Sequence, residues 1–359
     1  MVRPATRTEV NVDTRTLWER PILSGLCSTS PIMQTTSMAS SRTYCSASSR
    51  DSSSLCSASW LKEHLNQCKV LDATWYLPHM GRDPIEEFST IGRIPGAQFF
   101  DLDGVARQDT DLPHMLPTEQ GFAAAAAALG ISPDDTVVVY DRQGIFSAPR
   151  AWWTWKVFGH EHVYVLDGGL PAWQEDVQGE VDMTPVSNRD DVEQATRACQ
   201  DAMQRGTSWN APPDASYPSC SLNTRLVASI DDVLERAVYG TDSIVVDARP
   251  AARFRGEAEE PRKGLAKGHM PNSKNIPWNA VLTESPSARF KSPDEIQQVF
   301  QSVGIDPKTT DFSNVIASCG SGTTACILVL AAQQMEKPMM PVYDGSWSEY
   351  GALPNVPVS

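Results

Sequence analysis

The sequence predicts an α/β fold with two tandem domains, each a central, mostly parallel sheet flanked by helices. Three observations lead to this fold class. First, 359 residues are enough for two domains that each bury a core. Second, short β-branched runs such as 136–140 and 243–246 alternate with helical segments such as 118–129 and 293–303. Third, the chain repeats itself.

The repeat consists of four motifs that occur twice in the same order, about 177 positions apart. Near-equal spacing in a fixed order indicates an internal duplication. It places Asp141 of the first half where the second half has Cys319, each at the end of a predicted strand. The repeated pairs are 71–73 with 246–248, 92–97 with 268–273, 137–141 with 314–319, and 165–169 with 342–346.

Domain boundaries follow from the repeat and from composition. We expect a leader at 1–57, a first domain at 58–178, a linker at 179–224 and a catalytic domain at 225–355. The linker is polar and contains four prolines, with one short helix expected near 192–204.

The leader is rich in Ser, Thr and Arg and poor in acids. That composition is typical of a mitochondrial transit peptide, and the alternative is a disordered tail on a cytoplasmic protein. The sequence therefore favours a mitochondrial location over a cytoplasmic one.

Charge and cysteine usage exclude several classes of function. A net charge of −14 and a pI near 4.9 argue against nucleic acid or anionic membrane as the main partner. No apolar run is long enough to span a bilayer. The eight cysteines form no CxxC pair and no zinc-type cluster, so we expect no metal and no organic cofactor. Cys199 and Cys220, in the linker, receive no role.

The loop from Cys319 to Cys326 runs from a predicted strand into an apolar helix. Gly320 and Gly322 let the backbone curl, so that N–H groups and the helix start favour a thiolate on Cys319. A thiolate is a nucleophile, and a persulfide on it would lie among the same N–H donors. The competing interpretation is a buried structural cysteine, which we assign to Cys326 instead.

Four further motifs accompany the loop at 319–326, and they lie at 75–78, 115–117, 147–153 and 344–347. Together they resemble the rhodanese superfamily, and within it the tandem-domain sulfurtransferases close to 3-mercaptopyruvate sulfurtransferase. The resemblance covers about residues 58–355. It implies that the first domain is inactive, in agreement with Asp141 at the position that corresponds to Cys319.

The resemblance also implies roles for side chains outside the loop. Arg253 and Arg262 are expected to bind the carboxylate and ketone of the donor, whereas Arg255 is expected to pair with acids at the surface. Ser321, His114 and Asp103 are expected to form a hydrogen-bonded catalytic relay. Loop residues that bind substrate would be Gly320, Ser321, Gly322, Thr323 and Thr324.

The resulting functional prediction is transfer of sulfur from 3-mercaptopyruvate, through a Cys319 persulfide, to a thiol such as thioredoxin or glutathione, or to cyanide. Pyruvate is released. Thiosulfate-specific relatives carry an Arg-Lys pair after the cysteine, where this chain has Gly320 and Ser321. This difference favours 3-mercaptopyruvate as the donor. A thiosulfate:cyanide sulfurtransferase is the alternative. A phosphatase is a more distant alternative, because the loop contains no arginine to bind phosphate. A non-catalytic binding module is another, and the presence of Cys319 disfavours it.

Overall fold

Two five-stranded parallel sheets form the framework of the computed structural model, which describes residues 54–186, 188–284 and 287–359. The predicted leader lies outside the described residues except for 54–57. The strands of the first sheet are β1 (Leu55–Cys56), β2 (Cys68–Asp72), β3 (Gln98–Phe99), β4 (Thr136–Tyr140) and β5 (Val163–Leu166). Those of the second are β6 (Val227–Ala228), β7 (Ile244–Asp247), β8 (Lys274–Asn275), β9 (Val315–Ser318) and β10 (Val342–Tyr343).

The two sheets have the same topology. Their strand orders are β1-β5-β4-β2-β3 and β6-β10-β9-β7-β8, and every pairing is parallel. In each sheet a β-branched strand lies at the centre, β4 or β9, and is buried along almost its whole length. The predicted fold class and the internal duplication are thereby confirmed. The carboxyl end of the central strand leads to Asp141 in one half and to Cys319 in the other.

Helices cover both sheets, and local sequence accounts for their ends. The Thr118 hydroxyl accepts a hydrogen bond from the N–H of Gly121, and Ser292 and Glu295 form a capping box. The helices are α1 (Ala58–His64), α2 (Pro84–Thr90), α3 (Glu119–Ala128), α4 (Ala148–Val157), α5 (Gly169–Val177), α6 (Arg189–Val192), α7 (Gln194–Arg205), α8 (Ile230–Val233), α9 (Ala251–Phe254), α10 (Pro293–Ser302), α11 (Ala325–Gln334) and α12 (Ser346–Tyr350).

The segments that flank the first domain are part of its structure. Strand β1 lies within the expected leader, so the first sheet begins ahead of residue 58. In the expected linker, α7 takes the place of the helix foreseen near 192–204 and packs against α3. Cys199 is buried there, with its thiol 3.5 Å from the carbonyl oxygen of Val105. The linker therefore packs on the first domain over part of its length.

Helices α4 and α11 pack against each other at the junction of the two halves. Both are buried along most of their length, and α4 adds Trp152, Trp153 and Trp155 to the shared core. Each helix starts at the loop that leaves the central strand of its own sheet. The packing of α4 on α11 thus brings the Asp141 and Cys319 loops to one junction. Among the described residues, no helix has the length and apolar character that crossing a membrane requires.

Candidate active site

Cys319 follows β9 directly, and only 2% of its surface is exposed. Its N–H donates to the Ser346 hydroxyl at 3.2 Å, and its carbonyl oxygen accepts from the N–H of Trp347 at 3.0 Å. The next carbonyl, of Gly320, accepts from the N–H and hydroxyl of Ser348 at 2.9 and 2.6 Å. The first turn of α12 therefore fixes the backbone on which the thiol is carried.

The N–H groups of the Asp141 loop are hydrogen-bonded to a carboxylate, whereas those of the Cys319 loop are not bonded to any carboxylate among the described residues. In the first half, the carboxylate of Asp141 accepts four of them, from Gln143, Phe146, Ser147 and Ala148, at 2.8 to 2.9 Å. In the second half, no hydrogen bond joins the N–H groups of 320–324 to another residue that the structure describes. A carboxylate thus fills the first loop, while the loop of Cys319 has donors left for an anion.

Gly322 carries the tightest turn of this loop, with φ at +78°. A Cβ added there would lie 2.8 Å from Nη1 of Arg150 and 3.1 Å from the carbonyl oxygen of Asp344. Only glycine fits this position without moving the residues beneath the loop.

Gly322→Ala is accordingly expected to lower the free energy of unfolding by about 2–4 kcal/mol, from backbone strain and the clash together. Urea denaturation measures this loss. Gly130→Ala is the matched control, because Gly130 also has a positive φ of 62° but nothing within 4 Å of an added Cβ. Equal losses in the two variants would contradict the role of the close approach.

Cys319 lies in a cleft of about 660 Å³ that both halves line. The first half contributes Trp75 and Phe146, whereas the second contributes Arg253, Arg262 and the loop. Aromatic and cationic side chains thus line the same cleft as the Cys319 thiol. This arrangement suits a small anion with an apolar edge.

Arg253 and Arg262, two of the three arginines that line the cleft, differ in how their charge is compensated. Arg253 pairs with the buried carboxylate of Glu260, which also accepts from Nη1 of Arg249 at 2.8 Å. Arg262 forms no ion pair with any residue that the structure describes. Burial lowers the pKa of Arg262; Cys319 opposes this shift and Arg253 adds to it. Asp103 and Glu260 also oppose the shift, so Arg262 differs from Arg253 in lacking a direct carboxylate partner among the described residues.

Both guanidinium groups lie close to the loop, about 3.2 and 4.0 Å from a Cβ added to Gly320. Arg255 instead pairs with Glu257 at 2.7 Å, with more than half of each side chain exposed, as expected for an arginine outside the site. The side chain of Glu260 is buried, and its carboxylate joins Arg249 to Arg253.

Ser321, His114 and Asp103 meet across the two halves. Nδ1 of His114 is 3.0 Å from the Ser321 hydroxyl and 3.1 Å from that of Thr323. Nε2 is 2.9 Å from Oδ1 of Asp103. Because a carboxylate only accepts, Nε2 carries the proton and donates to Asp103, which leaves Nδ1 to accept from a hydroxyl. The structure therefore brings the three predicted relay residues together.

Trp75 is a further residue of the site, and in the sequence it is marked only as the first residue of the motif at 75–78. Its indole N–H donates to Oδ2 of Asp103 at 2.8 Å, and its ring meets the His114 ring edge-on at 4.8 Å. It therefore fixes both the carboxylate and the imidazole. A tryptophan just after the end of β2 was the only signal for this role.

Asp103 has a lowered pKa although 61% of its side chain is exposed. Desolvation opposes ionisation, but the hydrogen bonds from His114 and Trp75, together with the charge of Arg262, outweigh it. A lowered pKa means that the folded protein gains stability from the ionised carboxylate above the unfolded pKa, about 3.9, and loses it as the pH falls through the folded value.

Asp103→Asn should therefore reduce stability at neutral pH, and the difference from the wild type should shrink below about pH 4. The same variant should lower kcat by about 10- to 100-fold, because a neutral amide holds the imidazole less firmly. Urea denaturation at several pH values and steady-state assays measure the two effects. A stability difference that stays constant down to acid pH would contradict the ionised pairing.

Comparisons with known proteins agree with this architecture. A model of the rhodanese-like domain matches residues 57–176 and 230–353. A mitochondrial thiosulfate/3-mercaptopyruvate sulfurtransferase of Arabidopsis thaliana is 38% identical over 333 residues, 91% of this chain and 83% of that protein. The 3-mercaptopyruvate sulfurtransferase of Escherichia coli K12 is 35% identical, over 84% of this chain and 96% of the bacterial one.

A solved structure gives the same result. The crystal structure of SseA from Escherichia coli, a 3-mercaptopyruvate sulfurtransferase with the rhodanese fold, matches with a TM-score of 0.66 and 33% identity. The match covers 83% of this chain and all of the bacterial chain. With two domain matches in sequence and a full-length match in structure, this chain belongs to the rhodanese family as a tandem pair of rhodanese-like domains.

Proposed function

We propose that this protein is a sulfurtransferase that moves sulfur from 3-mercaptopyruvate to a thiol or to cyanide through a persulfide on Cys319. The enzyme class predicted from the sequence agrees with the curated relatives, which are sulfurtransferases by name. The observation that carries the proposal is the cleft itself. It places a nucleophilic thiol, a loop with open N–H donors and two arginines within reach of one small anion.

In the first step, Arg262 and Arg253 bind the substrate carboxylate and ketone. The Cys319 thiolate attacks the substrate sulfur, so that an S–S bond forms and the bond between sulfur and carbon breaks. The electron pair of that bond leaves with the carbon as the enolate of pyruvate, next to the arginines. The sulfur retains its proton and is left as a persulfide on Cys319. The loop N–H groups stabilise the persulfide anion once this proton is lost.

We assign proton transfer to the relay. Ser321 lines the cleft, and its hydroxyl is hydrogen-bonded to His114. His114 is hydrogen-bonded in turn to Asp103. Ser321 donates a proton to the enolate carbon to give pyruvate, and the relay recovers a proton from the persulfide. One proton thus moves from sulfur to carbon, and no net charge is produced in the buried relay.

The second step returns the enzyme to its starting state. An acceptor thiolate attacks the outer sulfur, takes it away as its own persulfide, and leaves Cys319 as a thiolate. Thioredoxin and glutathione are the acceptors that we propose, and cyanide would leave as thiocyanate. The cleft opens to solvent beside His79, which leaves room for such an acceptor.

The donor is tested by parallel steady-state assays of 3-mercaptopyruvate and thiosulfate. We expect kcat/KM to favour 3-mercaptopyruvate by about 10-fold or more, because Gly320 and Ser321 add no cations for a dianion. The double variant Gly320→Arg, Ser321→Lys should move the ratio toward thiosulfate. A wild-type preference for thiosulfate would contradict the proposal.

Thiosulfate remains the second candidate donor because the Arabidopsis relative is named for both donors.

The name of the Arabidopsis relative also states a mitochondrial location. With the composition of the leader, it supports our proposal that a transit peptide lies within residues 1–57, ahead of β1. Import and cleavage of the full chain by isolated mitochondria would test that proposal. Domains at 58–178 and 225–355, with a linker between them, remain our proposed boundaries.

A further inference from the structure

A buried ion pair joins the two halves beneath the active loop. Arg150 lies on α4 of the first half, and Asp344 follows β10 of the second. Nη2 of Arg150 is 2.7 Å from Oδ1 of Asp344, and the side chains are only 3% and 5% exposed. Charge rather than an aligned hydrogen bond holds this contact, since Oδ1 lacks hydrogen-bond geometry. A buried pair is costly to desolvate, so its position calls for an explanation.

The pair contacts the backbone of the relay histidine and of the residue two positions after it. Nη2 of Arg150 also donates to the carbonyl oxygen of His114. Oδ2 of Asp344 accepts from the N–H of Leu116 at 2.9 Å. His114 itself has a φ of +61°, in the left-handed region that a non-glycine residue rarely occupies. The surrounding contacts must hold such a conformation in place.

Arg150 also reaches the loop itself. Its Nη1 is buried without a hydrogen-bond partner and would be 2.8 Å from a Cβ added to Gly322. The guanidinium thus lies against the loop that carries Ser321, while it holds the segment that carries His114. The Arg150 side chain therefore contacts both segments of the relay, the one that carries His114 and the one that carries Ser321.

The internal duplication shows which part of this arrangement is specific to the active half. Asp167, about 177 positions before Asp344, makes the reciprocal contact and accepts from the N–H of Phe290 at 3.1 Å. The position that corresponds to Arg150 is Ile327, a buried apolar residue on α11. The aspartate contact is therefore common to both halves, whereas the arginine is present only beneath the catalytic loop.

We propose that the Arg150–Asp344 pair positions His114 against Ser321 and thereby keeps the proton relay in register across the two halves. This inference rests on the proposed sulfur transfer. Neither residue contacts the cleft as a lining group, so both act through His114 and not on the substrate.

Asp344→Asn tests the proposal, with Asp167→Asn as the matched control in the inactive half. We expect Asp344→Asn to lower kcat with 3-mercaptopyruvate about 10- to 100-fold and to change KM less than about twofold. In a His114→Gln background, the same substitution should lower kcat less than about twofold further, because the relay is already broken. Asp167→Asn should leave kcat within about twofold of the wild type, although it also removes a contact between the halves.

The outcomes separate this inference from the proposed function. Loss of kcat that is as large in the His114→Gln background as in the wild type would overturn the positioning role, as would equal losses in Asp344→Asn and Asp167→Asn. If Asp344→Asn does not fold, Arg150→Lys, which keeps the charge but loses the fork, serves instead; if neither folds, the pair is structural and the inference fails. A wild-type protein that forms no persulfide from 3-mercaptopyruvate would refute the proposed function instead.

Discussion

Cys319→Ser is expected to lower kcat/KM for sulfur transfer from 3-mercaptopyruvate by about 10⁴-fold or more, as for other enzymes that lose their nucleophile. A hydroxyl is a far weaker nucleophile than a thiolate, and an oxygen in this position forms no persulfide. The substitution is nearly isosteric, so the backbone contacts of residue 319 with Ser346 and Trp347 should persist. Steady-state kinetics measure the loss, and a thermal melt checks the fold.

Intact-mass spectrometry gives a second readout that does not depend on turnover. After treatment with 3-mercaptopyruvate alone, the wild type should gain the mass of one sulfur atom and Cys319→Ser should gain none. Cys199→Ser is the control, because Cys199 is a buried free thiol on α7, outside the cleft. Persulfide on Cys319→Ser, or its absence from Cys199→Ser, would place the sulfur on a different cysteine and refute the assignment.

The sequence predicted the features that depend on local order. Repeated motifs at constant spacing predicted the paired sheets. The strand, glycines and helix around Cys319 predicted a loop that encloses this thiol. The glycine at 322 has its positive φ for the expected reason, a tight turn between strand and helix. Such features are encoded within a few residues, so one chain is enough to read them.

Contacts between the halves could not be read in this way. His114 and Ser321 are 207 positions apart, and their 3.0 Å contact depends on how α4 packs against α11. Only the family resemblance suggested that they meet. The burial of Glu260 could not be predicted from the sequence, because an acid close to three arginines is typical of a surface network. Arg150 was part of a quoted motif, but nothing in the motif indicates that it lies beneath a loop of the other half.

Arg262→Gln is expected to lower kcat/KM for 3-mercaptopyruvate by about 30- to 1,000-fold, the loss of a charge-assisted hydrogen bond of about 2–4 kcal/mol. Arg262 lacks a direct carboxylate partner in the part of the chain that the structure describes, so the substrate carboxylate is its natural partner. Arg262→Lys should recover only part of the loss, because an ammonium keeps the charge without the bidentate fork. Arg255→Gln, which removes an exposed arginine paired with Glu257, is the control and should retain activity.

Arg253 and Arg262 are expected to differ in their contribution to the free energy of unfolding. Arg253→Gln removes a partner from the buried carboxylate of Glu260, leaving it to Arg249 alone, and should lower the free energy of unfolding by about 2–4 kcal/mol. Arg262→Gln removes a charge that burial already disfavours, as its lowered pKa indicates, and should leave stability unchanged or higher. Urea denaturation of both variants measures these changes in the free energy of unfolding. If Arg262→Gln loses stability while its kcat/KM stays within about threefold of the wild type, then Arg262 supports the fold and not the substrate, and the donor carboxylate must be bound elsewhere.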